Sequence, residues 1–371
     1  MNGHYIGLMS GTSMDAVDAV LVEFSSGVPT LRAHHGQSIP TELRARLLAV
    51  NHGENTTVAR IGELDARMGR LFAETVQALL RESGMAARDI RAIGSHGQTI
   101  YHCPDGDTPT SVQIGDPNLI AELTGITTVA DFRRRDIAAG GQGAPLVPAF
   151  HQAVFRAAHE DRVVANIGGI ANITVLPRAE DQAVRGFDTG PGNALMDYWI
   201  KTHRGEDLDE DGCWAATGQA HAALLEMLLD DAYFSRQPPK STGREYFHPA
   251  WLNTALSRLA SSIAPADVQA TLCELTAVTL TEAINEHAPV TQRVLICGGG
   301  AYNKTLMTRL ASLLAPRPVE STIAFSIPPE WVEGLAFAWL ARQTLLGLPG
   351  NIPSVTGARR AVVLGGIYSK Q

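Results

Sequence analysis

The sequence predicts an α/β protein that contains two related domains. Strand-like and helix-like segments alternate along the chain, as they do in α/β folds. A strand, a glycine turn and a second strand occur around Gly11 and occur again around Gly168, roughly 157 residues later. The 371 residues are also enough for two domains of ordinary size. We therefore expect two similar halves that face each other across a cleft.

The first half contains the elements of one such domain. Apolar side chains from Leu64 to Leu79 recur at helical spacing and predict a helix over 61–82. Glycines, prolines and three arginines predict a functional loop between Asp131 and Pro148. The other predicted elements are strands at 5–9, 16–24, 90–96, 111–114 and 127–130 and helices at 118–124 and 149–158.

The second half repeats the pattern of strand, turn and strand. Strands are predicted at 163–167 and 170–176, on either side of the second glycine turn. A strand at 293–297 then leads through three glycines into a helix that begins at Asn303. Further helices are predicted between Asp188 and about His203 and over 331–342.

Composition and charge exclude several kinds of protein. Hydrophobic residues make up 45% of the chain and charged residues only 18%, so we expect a large core rather than disorder. The net charge of −8 argues against a nucleic-acid-binding surface. No apolar run is long enough to span a membrane, and no signal peptide is evident. The four cysteines lie far apart, which argues against disulfides and a zinc site, so we expect a cytoplasmic protein.

The segment 7–15 has the composition of a phosphate-binding turn. Its glycine and hydroxyl residues bring backbone N–H and O–H donors to one point. Asp15 at its end suits a hydrated Mg²⁺, which binds carboxylate, water and phosphate oxygens. The segment is neither a Walker A sequence nor a Gly-x-Gly-x-x-Gly fingerprint. An ordinary polar hairpin turn is the alternative interpretation.

Two other glycine turns are candidates for nucleotide contacts. The turn within 166–172, if it faces the first turn, would hold the phosphates of one nucleotide from the other side. Gly298-Gly299-Gly300 connects a buried strand to a helix N-terminus, where the backbone can approach a ligand closely. Taken alone, each segment is also typical of a tight structural turn.

Asp188 is the candidate catalytic base. It follows a short strand and precedes a helix, which places its carboxylate at the mouth of a cleft. In phosphoryl transfer, an aspartate in such a position accepts the proton of the attacking hydroxyl. The alternative is a structural aspartate that caps the turn or the helix.

Three further features are candidates for substrate binding. Segment 95–99 is interpreted as polar strand-end residues that line a pocket, because the chain has no Gly-x-Ser-x-Gly elbow of a hydrolase. Arg133, Arg134 and Arg135 suit an anionic substrate, although arginine runs are often solvated or paired with nearby aspartates. Glu330 begins a predicted helix, where its charge also complements the helix dipole.

Eight motifs occur in a fixed order along essentially the full length of the chain. They are Gly-Leu-Met-Ser-Gly-Thr-Ser-Met-Asp at 7–15, Ser-His-Gly-Gln-Thr at 95–99, Gln-Ile-Gly-Asp-Pro at 113–117, Asp-Phe-Arg-Arg-Arg-Asp at 131–136, Gly-Gly-Gln-Gly-Ala-Pro-Leu-Val-Pro at 140–148, Asn-Ile-Gly-Gly-Ile-Ala-Asn at 166–172, Phe-Asp-Thr-Gly-Pro-Gly-Asn at 187–193 and Cys-Gly-Gly-Gly-Ala-Tyr-Asn at 297–303. In sequence and order they closely resemble the motifs of the anhydro-N-acetylmuramic acid kinases. That family belongs to the sugar kinase, Hsp70 and actin superfamily.

The resemblance implies a fold and a reaction. The fold would be two duplicated actin-like (ribonuclease H-like) domains, which we expect at 1–131 with 357–371 and at 132–356. The enzyme would use ATP and Mg²⁺ to phosphorylate 1,6-anhydro-N-acetylmuramate on O6 while water opens the 1,6-anhydro bond. The products would be N-acetylmuramate 6-phosphate and ADP, formed in peptidoglycan recycling and amino-sugar catabolism. Relatives are dimers, so a homodimer is implied, with neither nucleic acid nor membrane as a partner.

The resemblance also implies roles for residues. Asp188 matches the catalytic aspartate, acting here as the base for water, and Asp15 is the implied Mg²⁺ ligand. The loop at 140–148 or the loop at 349–353 is expected to be the hinge for domain closure. The expected sugar contacts are Gly97, Arg133, Arg134, Arg135 and Glu330. The expected ATP contacts are Gly11, Thr12, Ser13, Met14, Asp15, Ala16, Val17, Asp18, Asn166, Gly168, Gly169, Asn172, Gly298, Gly299 and Gly300.

Two alternatives stay open beside this interpretation. One is a kinase for a different amino sugar, and the other is a nucleotide-gated binding protein of the same superfamily. Asp188 argues against the binding protein, which has no need of a base. The arginines at 133–135 bear on the first alternative, because a neutral hexose gives no reason for three consecutive cations.

Overall fold

The structure, a computed structural model, describes residues 2–11, 13–25, 28–51 and 53–370. The chain divides into two units. One comprises Met1–Phe150 with Trp331–Gln371, and the other comprises His151–Glu330. Within the described ranges, no helix combines the length and the apolar character needed to cross a membrane.

The strands and helices are numbered here in chain order. The elements that begin before the unit boundary at Phe150 are β1 (Gly3–Met9), β2 (Ala16–Ser25), β3 (Val28–Ser38), α1 (Thr41–Asn51), α2 (Val58–Ser83), β4 (Ile90–Ser95), β5 (Gln98–Cys103), β6 (Thr110–Ile114), α3 (Pro117–Thr124), β7 (Thr128–Ala130), α4 (Phe132–Ala138) and α5 (Val147–Phe155). In the second unit they continue as β8 (Arg162–Ile167), β9 (Ile170–Leu176), β10 (Arg185–Pro191), α6 (Ala194–Arg204), α7 (Ala222–Leu229), α8 (Pro249–Ser257), α9 (Pro265–His287), β11 (Arg293–Cys297), α10 (Lys304–Leu314) and β12 (Val319–Ser321). The last segment contains α11 (Val332–Leu346), α12 (Pro353–Thr356) and β13 (Gly366–Tyr368).

The main sheets of the two units repeat one topology. In the first, β1, β2 and β3 form an antiparallel meander, and β4 and then β7 continue in parallel from the other side of β1. In the second, β8, β9 and β10 form the meander, and β11 and then β12 continue in parallel from β8. The first sheet differs by an added edge strand, β13, and the first unit also contains the separate β5–β6 hairpin. The predicted duplicated α/β fold is therefore confirmed.

Helices cover both faces of the first sheet. Ile6 and Leu8 of β1 belong to a buried cluster with Met68 of α2. Because successive strand residues point to opposite faces, Gly7 between them faces the other way. A Cβ atom on Gly7 would lie 1.9 Å from the carbonyl oxygen of Gly334 in α11, so the helix backbone rests directly on the strand. This packing fixes the end of β1, from which the first glycine turn begins.

The second sheet packs against helices α9 and α10, which lie between its strands in the chain. Val163, Ala165 and Ile167 of β8 share a buried cluster with residues of α9 and α10. Helix α9 is buried on several sides from Val268 to Ile284, so it lacks the single apolar stripe that would mark it in the sequence. The turn after β8 and the glycines after β11 lie at the ends of two neighbouring parallel strands.

The boundaries of the two units differ from those predicted. Residues 132–150 and 331–356 were expected in the second domain, but they belong to the first unit. The reason is their packing: α11 rests on β1, and the Asp136 carboxylate accepts hydrogen bonds from Asn351 Nδ2 at 2.6 Å and Thr356 Oγ1 at 2.8 Å. The two expected hinge loops also lie inside this unit, where the Gln142 N–H donates to the Thr356 carbonyl.

Candidate functional site

The turn between β1 and β2 is held by polar contacts from β5. Ser10 Oγ donates to Gln98 Oε1 at 2.7 Å, and Gln98 Nε2 donates to the Gly11 carbonyl at 3.3 Å. Met14 has a φ of 54° and is fully buried, and its N–H donates to the Gly11 carbonyl. Predicted residue Thr12 lies outside the described residues. The described residues on either side of Thr12 are therefore held by specific hydrogen bonds.

Arg44 of α1 binds the C-terminal end of the same turn. Its guanidinium donates to the carbonyls of Ser13 and Met14, both at 3.1 Å. It also pairs with the Asp15 carboxylate at 2.7 Å, whose side chain is 63% exposed. Among the described residues, no three acidic, His or Cys side chains cluster as metal ligands. The donor set fits a hydrated Mg²⁺ carried by nucleotide phosphates and touched by one carboxylate, not an ion caged by protein alone.

The remaining residues of the predicted ATP segment divide between the core and the surface of β2. Val17 and Met14 are fully buried in the apolar core, so only their backbone atoms are available to a ligand. Ala16 lies at the start of β2, opposite Ser38 of β3. Burial raises the pKa of the Asp18 carboxyl, and His34 partly opposes that rise.

Arg133 is a half-buried cation. Its Nη1 donates to the Gly143 carbonyl at 2.9 Å, and its Nη2 lies 2.8 Å from His96 Nε2. Burial and the neighbouring Arg133 lower the pKa of His96 to about 3, so the imidazole is neutral and accepts this hydrogen bond. Burial also lowers the pKa of Arg133 to about 10, which leaves the guanidinium charged at neutral pH.

The other two arginines of the run do not join Arg133. They lie on the short helix α4, where the sequence predicted a loop, and consecutive helical residues point in different directions. Arg134 is 62% exposed and pairs with Asp131 at 2.7 Å, and Arg135 is exposed. The expected group of three substrate-binding arginines is therefore reduced to one inward-facing guanidinium.

Gly97 is explained by local packing. Its φ is 74°, and a Cβ atom there would lie 2.9 Å from the Ile114 carbonyl oxygen of β6. Both the left-handed conformation and the close approach require glycine at this position. Its presence in the sequence therefore needs no ligand to account for it.

Glu333 is a candidate that sequence analysis missed. Burial raises the pKa of its carboxyl, Asp18 adds to that rise, and Arg133 opposes it. By contrast, the predicted Glu330 lies in the second unit, is exposed, and accepts a hydrogen bond from Tyr302 Oη. Within the first unit, Glu333 is therefore in electrostatic contact with Arg133. The sequence signal that could have identified Glu333 is its position as the single carboxylate of a mainly apolar helix, α11.

Within the second unit, the predicted glycine segments meet. The Asn193 N–H donates to the Gly168 carbonyl at 2.7 Å, which joins the turn after β8 to the start of α6. A Cβ atom on Gly298 would lie 2.5 Å from Asn166 Oδ1, and one on Gly300 would lie 2.4 Å from Ile167 Cγ2. These two glycines are required by packing between the loops.

Two neighbouring glycines are not crowded. Outside the adjoining residues, the atom nearest to a Cβ atom on Gly168 would be the Ile170 carbonyl oxygen, and the atom nearest to one on Gly299 would be Asn193 Nδ2, each 3.7 Å away. Asn172, also predicted, lies opposite Asn166 across the β8–β9 ladder. The backbone at Gly168 and Gly299 is thus accessible to a ligand that approaches it closely.

Asp188 lies near the end of β10 beside a bulge in its pairing with β9. The Thr242 N–H donates to its Oδ2 at 3.0 Å, and Tyr233 Oη donates to its carbonyl oxygen at 2.8 Å. Burial raises the pKa of Asp188 to about 6, the Thr242 N–H opposes the rise, and the Glu245 carboxylate adds to it. A carboxylate tuned in this way is ionised at neutral pH and is also a competent proton acceptor.

The loop 240–245 is a second element that sequence analysis missed. It contacts both the side chain and the backbone of Asp188. The Thr242 N–H donates to the carboxylate, and the Asp188 N–H donates to the Lys240 carbonyl at 3.2 Å. The guanidinium of Arg244 lies against Gly169, whose Cβ atom, if present, would be 2.7 Å from Nη2. The sequence Lys-Ser-Thr-Gly-Arg-Glu combines glycine, hydroxyl and charged residues outside any predicted element, which was the available signal.

Comparison with known proteins agrees with the motifs. A family model described as anhydro-N-acetylmuramic acid kinase matches residues 3–370. The chain is 50% identical over 364 residues to "Anhydro-N-acetylmuramic acid kinase" of Coxiella burnetii (strain Dugway 5J108-111), covering 98% of this chain and 97% of that protein. It is 52% identical over 368 residues to the protein of the same name from Xanthomonas campestris pv. campestris (strain 8004), with the same two coverages. A solved structure, component A of the Acidaminococcus fermentans (R)-2-hydroxyglutaryl-CoA dehydratase, matches with a TM-score of 0.49 and 10% identity, covering 90% of this chain and 96% of that chain.

Proposed function

Because the chain belongs to the anhydro-N-acetylmuramic acid kinase family and is therefore a phosphotransferase, we propose that it phosphorylates 1,6-anhydro-N-acetylmuramate on O6 with ATP. Water opens the 1,6-anhydro bond in the same reaction. The products are N-acetylmuramate 6-phosphate and ADP, and the process served is peptidoglycan recycling and amino-sugar catabolism. The observation that supports this most is the half-buried, hydrogen-bonded carboxylate of Asp188.

Asp188 acts as the base for water. Its carboxylate takes one proton from a water molecule, whose oxygen forms a bond to C1 of the sugar. The C1–O6 bond breaks, and O6 forms a bond to the γ-phosphorus as the bond from that phosphorus to ADP breaks. The proton on Asp188 then passes to solvent. The Thr242 N–H holds Oδ2 at 3.0 Å and so keeps the carboxylate in one orientation.

The nucleotide is held by the glycine segments. The uncrowded backbone at Gly168 and Gly299 supports close approach of phosphate or ribose, and the turn at Gly11–Asp15 supports a second phosphate contact. Mg²⁺, when bound with the nucleotide, neutralises phosphate charge, and Asp15 is the side chain that we propose to touch it. Arg44 is positioned to orient Asp15, since the two side chains are 2.7 Å apart.

The sugar is anchored by Arg133. A half-buried guanidinium suits the lactyl carboxylate, and the neutral His96 and the Gly143 carbonyl hold it in place. Arg134 and Arg135 are exposed and have no part in this contact. The other partners that we propose are water and a second copy of the chain in a cytoplasmic homodimer, with no nucleic acid and no membrane.

The reaction is tested by incubating the protein with MgATP and 1,6-anhydro-N-acetylmuramate in ¹⁸O-labelled water. We expect ADP and a 6-phosphosugar that carries one ¹⁸O atom at C1, detected by mass spectrometry. A phosphorylated product without the label would disprove the hydrolytic coupling while leaving the kinase activity intact. Absence of any phosphorylated product from this sugar, with turnover of another amino sugar, would support the alternative substrate.

A further inference from the structure

Arg244 lies against the glycine turn that follows β8. A Cβ atom on Gly169 would be 2.7 Å from Nη2, 2.9 Å from Nε and 3.2 Å from Cζ of Arg244. The guanidinium therefore occupies the space that any side chain at position 169 would fill. Its donors lie beside the turn whose backbone is open at Gly168.

The loop that carries Arg244 is anchored on both sides. Two residues before it, the Thr242 N–H is bonded to Asp188 Oδ2 at 3.0 Å. After it, the N–H groups of Tyr246 and Phe247 both donate to the Gly243 carbonyl at 3.1 Å, and Phe247 is buried in the core. One short, ordered segment thus links the proposed base to the glycine turn.

The Arg244 side chain is exposed. Across the described part of the chain, no side chain or carbonyl accepts a hydrogen bond from its guanidinium, and no ion pair includes it. Arg244 acts electrostatically on Asp197, whose pKa burial raises to about 6 while Arg244 opposes the rise. By contrast, Arg162 and Arg309 of the same unit are both paired with glutamates at 2.7 Å. An unpaired guanidinium beside an open glycine turn is suited to an anionic ligand.

We propose that Arg244 is a catalytic residue that binds the γ-phosphoryl group of the nucleotide. This inference rests on the proposed function. A guanidinium offers two parallel N–H donors to phosphoryl oxygens and stabilises the charge that builds on them during transfer. The lactyl carboxylate is the competing anion, but it belongs with Arg133 in the first unit, whereas Arg244 lies on the turn proposed to hold phosphate.

Nucleotide binding tests this role without requiring the sugar. We expect Arg244→Ala to weaken binding of a non-hydrolysable ATP analogue by about tenfold or more, measured by calorimetry, because a charge-assisted contact is lost. Its affinity for ADP, which lacks the γ-phosphoryl group, should stay close to that of the unmodified protein. Equal affinities of both proteins for the analogue would overturn the proposal, whether or not the anhydrosugar is the substrate.

Turnover tests the same residue in the reaction. For Arg244→Ala we expect kcat to fall by about 10³-fold, the lower end of the effect of removing such an arginine, with little change in the KM of the sugar. Arg244→Lys should recover only part of the loss, and guanidinium ion added to Arg244→Ala should raise its rate. Arg258→Ala, which removes an exposed arginine of the same unit, is the control. A raised KM for the sugar with unchanged kcat would instead assign Arg244 to the sugar carboxylate.

Discussion

The Thr242 N–H donates a hydrogen bond of 3.0 Å to Oδ2 of Asp188, and this contact joins two segments that lie far apart in the sequence. It fixes the orientation of the carboxylate while burial raises its pKa to about 6. A held carboxylate with that pKa is suited to accept a proton at neutral pH. The relationship is the basis of the first three predictions.

Replacing Asp188 with Asn should abolish most turnover and leave nucleotide binding nearly unchanged. The amide keeps the shape and can accept the Thr242 hydrogen bond, but it cannot take a proton, so kcat should fall by about 10²- to 10⁴-fold. Steady-state kinetics and calorimetry with ADP measure the two effects. Asp181→Asn, at an exposed position of the same unit, is the matched control. Turnover of Asp188→Asn close to that of the unmodified protein would rule out the base.

The pH dependence of kcat/KM should report the ionisation of Asp188. The base works only when ionised, so kcat/KM should be constant above its pKa and fall as the pH decreases through about 6. A profile measured between pH 4.5 and 8 is a direct test. A constant kcat/KM down to pH 5 would contradict the assignment, because most of the carboxylate would then be protonated.

Asp188→Asn should also stabilise the fold at neutral pH. Since the folded-state pKa is raised above the ordinary value, folding disfavours the ionised carboxylate. That penalty is fully present above about pH 6 and disappears as the pH falls to the ordinary pKa near 4. We therefore expect a higher Tm for Asp188→Asn at pH 7.5 and little difference at pH 4. If the Tm of Asp188→Asn at pH 7.5 were equal to or lower than that of the unmodified protein, burial would not destabilise the ionised Asp188 carboxylate.

Gly298→Ala should destabilise the second unit more than Gly205→Ala does. Both glycines have positive φ, 79° and 73°, so both changes incur the left-handed backbone cost of about 1–2 kcal/mol. Only at Gly298 would the new Cβ atom collide, at 2.5 Å from Asn166 Oδ1, whereas no atom lies within 4 Å of one at Gly205. The collision should add about 1–3 kcal/mol, measured as a lower free energy of unfolding in denaturant. If both variants lost the same free energy of unfolding, the loops that contain Gly298 and Asn166 would move apart without an energetic cost.

Arg133→Gln should raise the KM of the sugar by about tenfold or more, because it removes a charge-assisted contact to the lactyl carboxylate. Arg135→Gln, which changes an exposed arginine of the same helix, should leave KM unchanged. Thermal unfolding separates a binding defect from misfolding, and Arg133→Lys keeps the positive charge in case the Gln variant does not fold. If changing Arg133 and changing Arg135 raised the KM of the sugar equally, the expectation that all three arginines bind the substrate would be supported instead.

The strands and glycine turns were predictable because their signals are local. The strands Arg293–Cys297 and Ile170–Leu176 coincide with the predicted ranges, and Arg162–Ile167 begins one residue before its predicted range. Buried parallel strands are short apolar runs that end at glycines, so sequence neighbours are sufficient to recognise them. Helix α9 was missed because it is buried on several sides and so shows no single stripe.

The sequence by itself determined the duplicated α/β fold, the family and the identity of Asp188 as the candidate base. Only the tertiary structure separated Arg133 from Arg134 and Arg135, identified Glu333 as a carboxylate that interacts with Arg133, and brought the loop 240–245 to Asp188. The physical reason is that burial and hydrogen bonding set the charge state and direction of a side chain. Those depend on residues that are distant in the chain and become neighbours only when it folds.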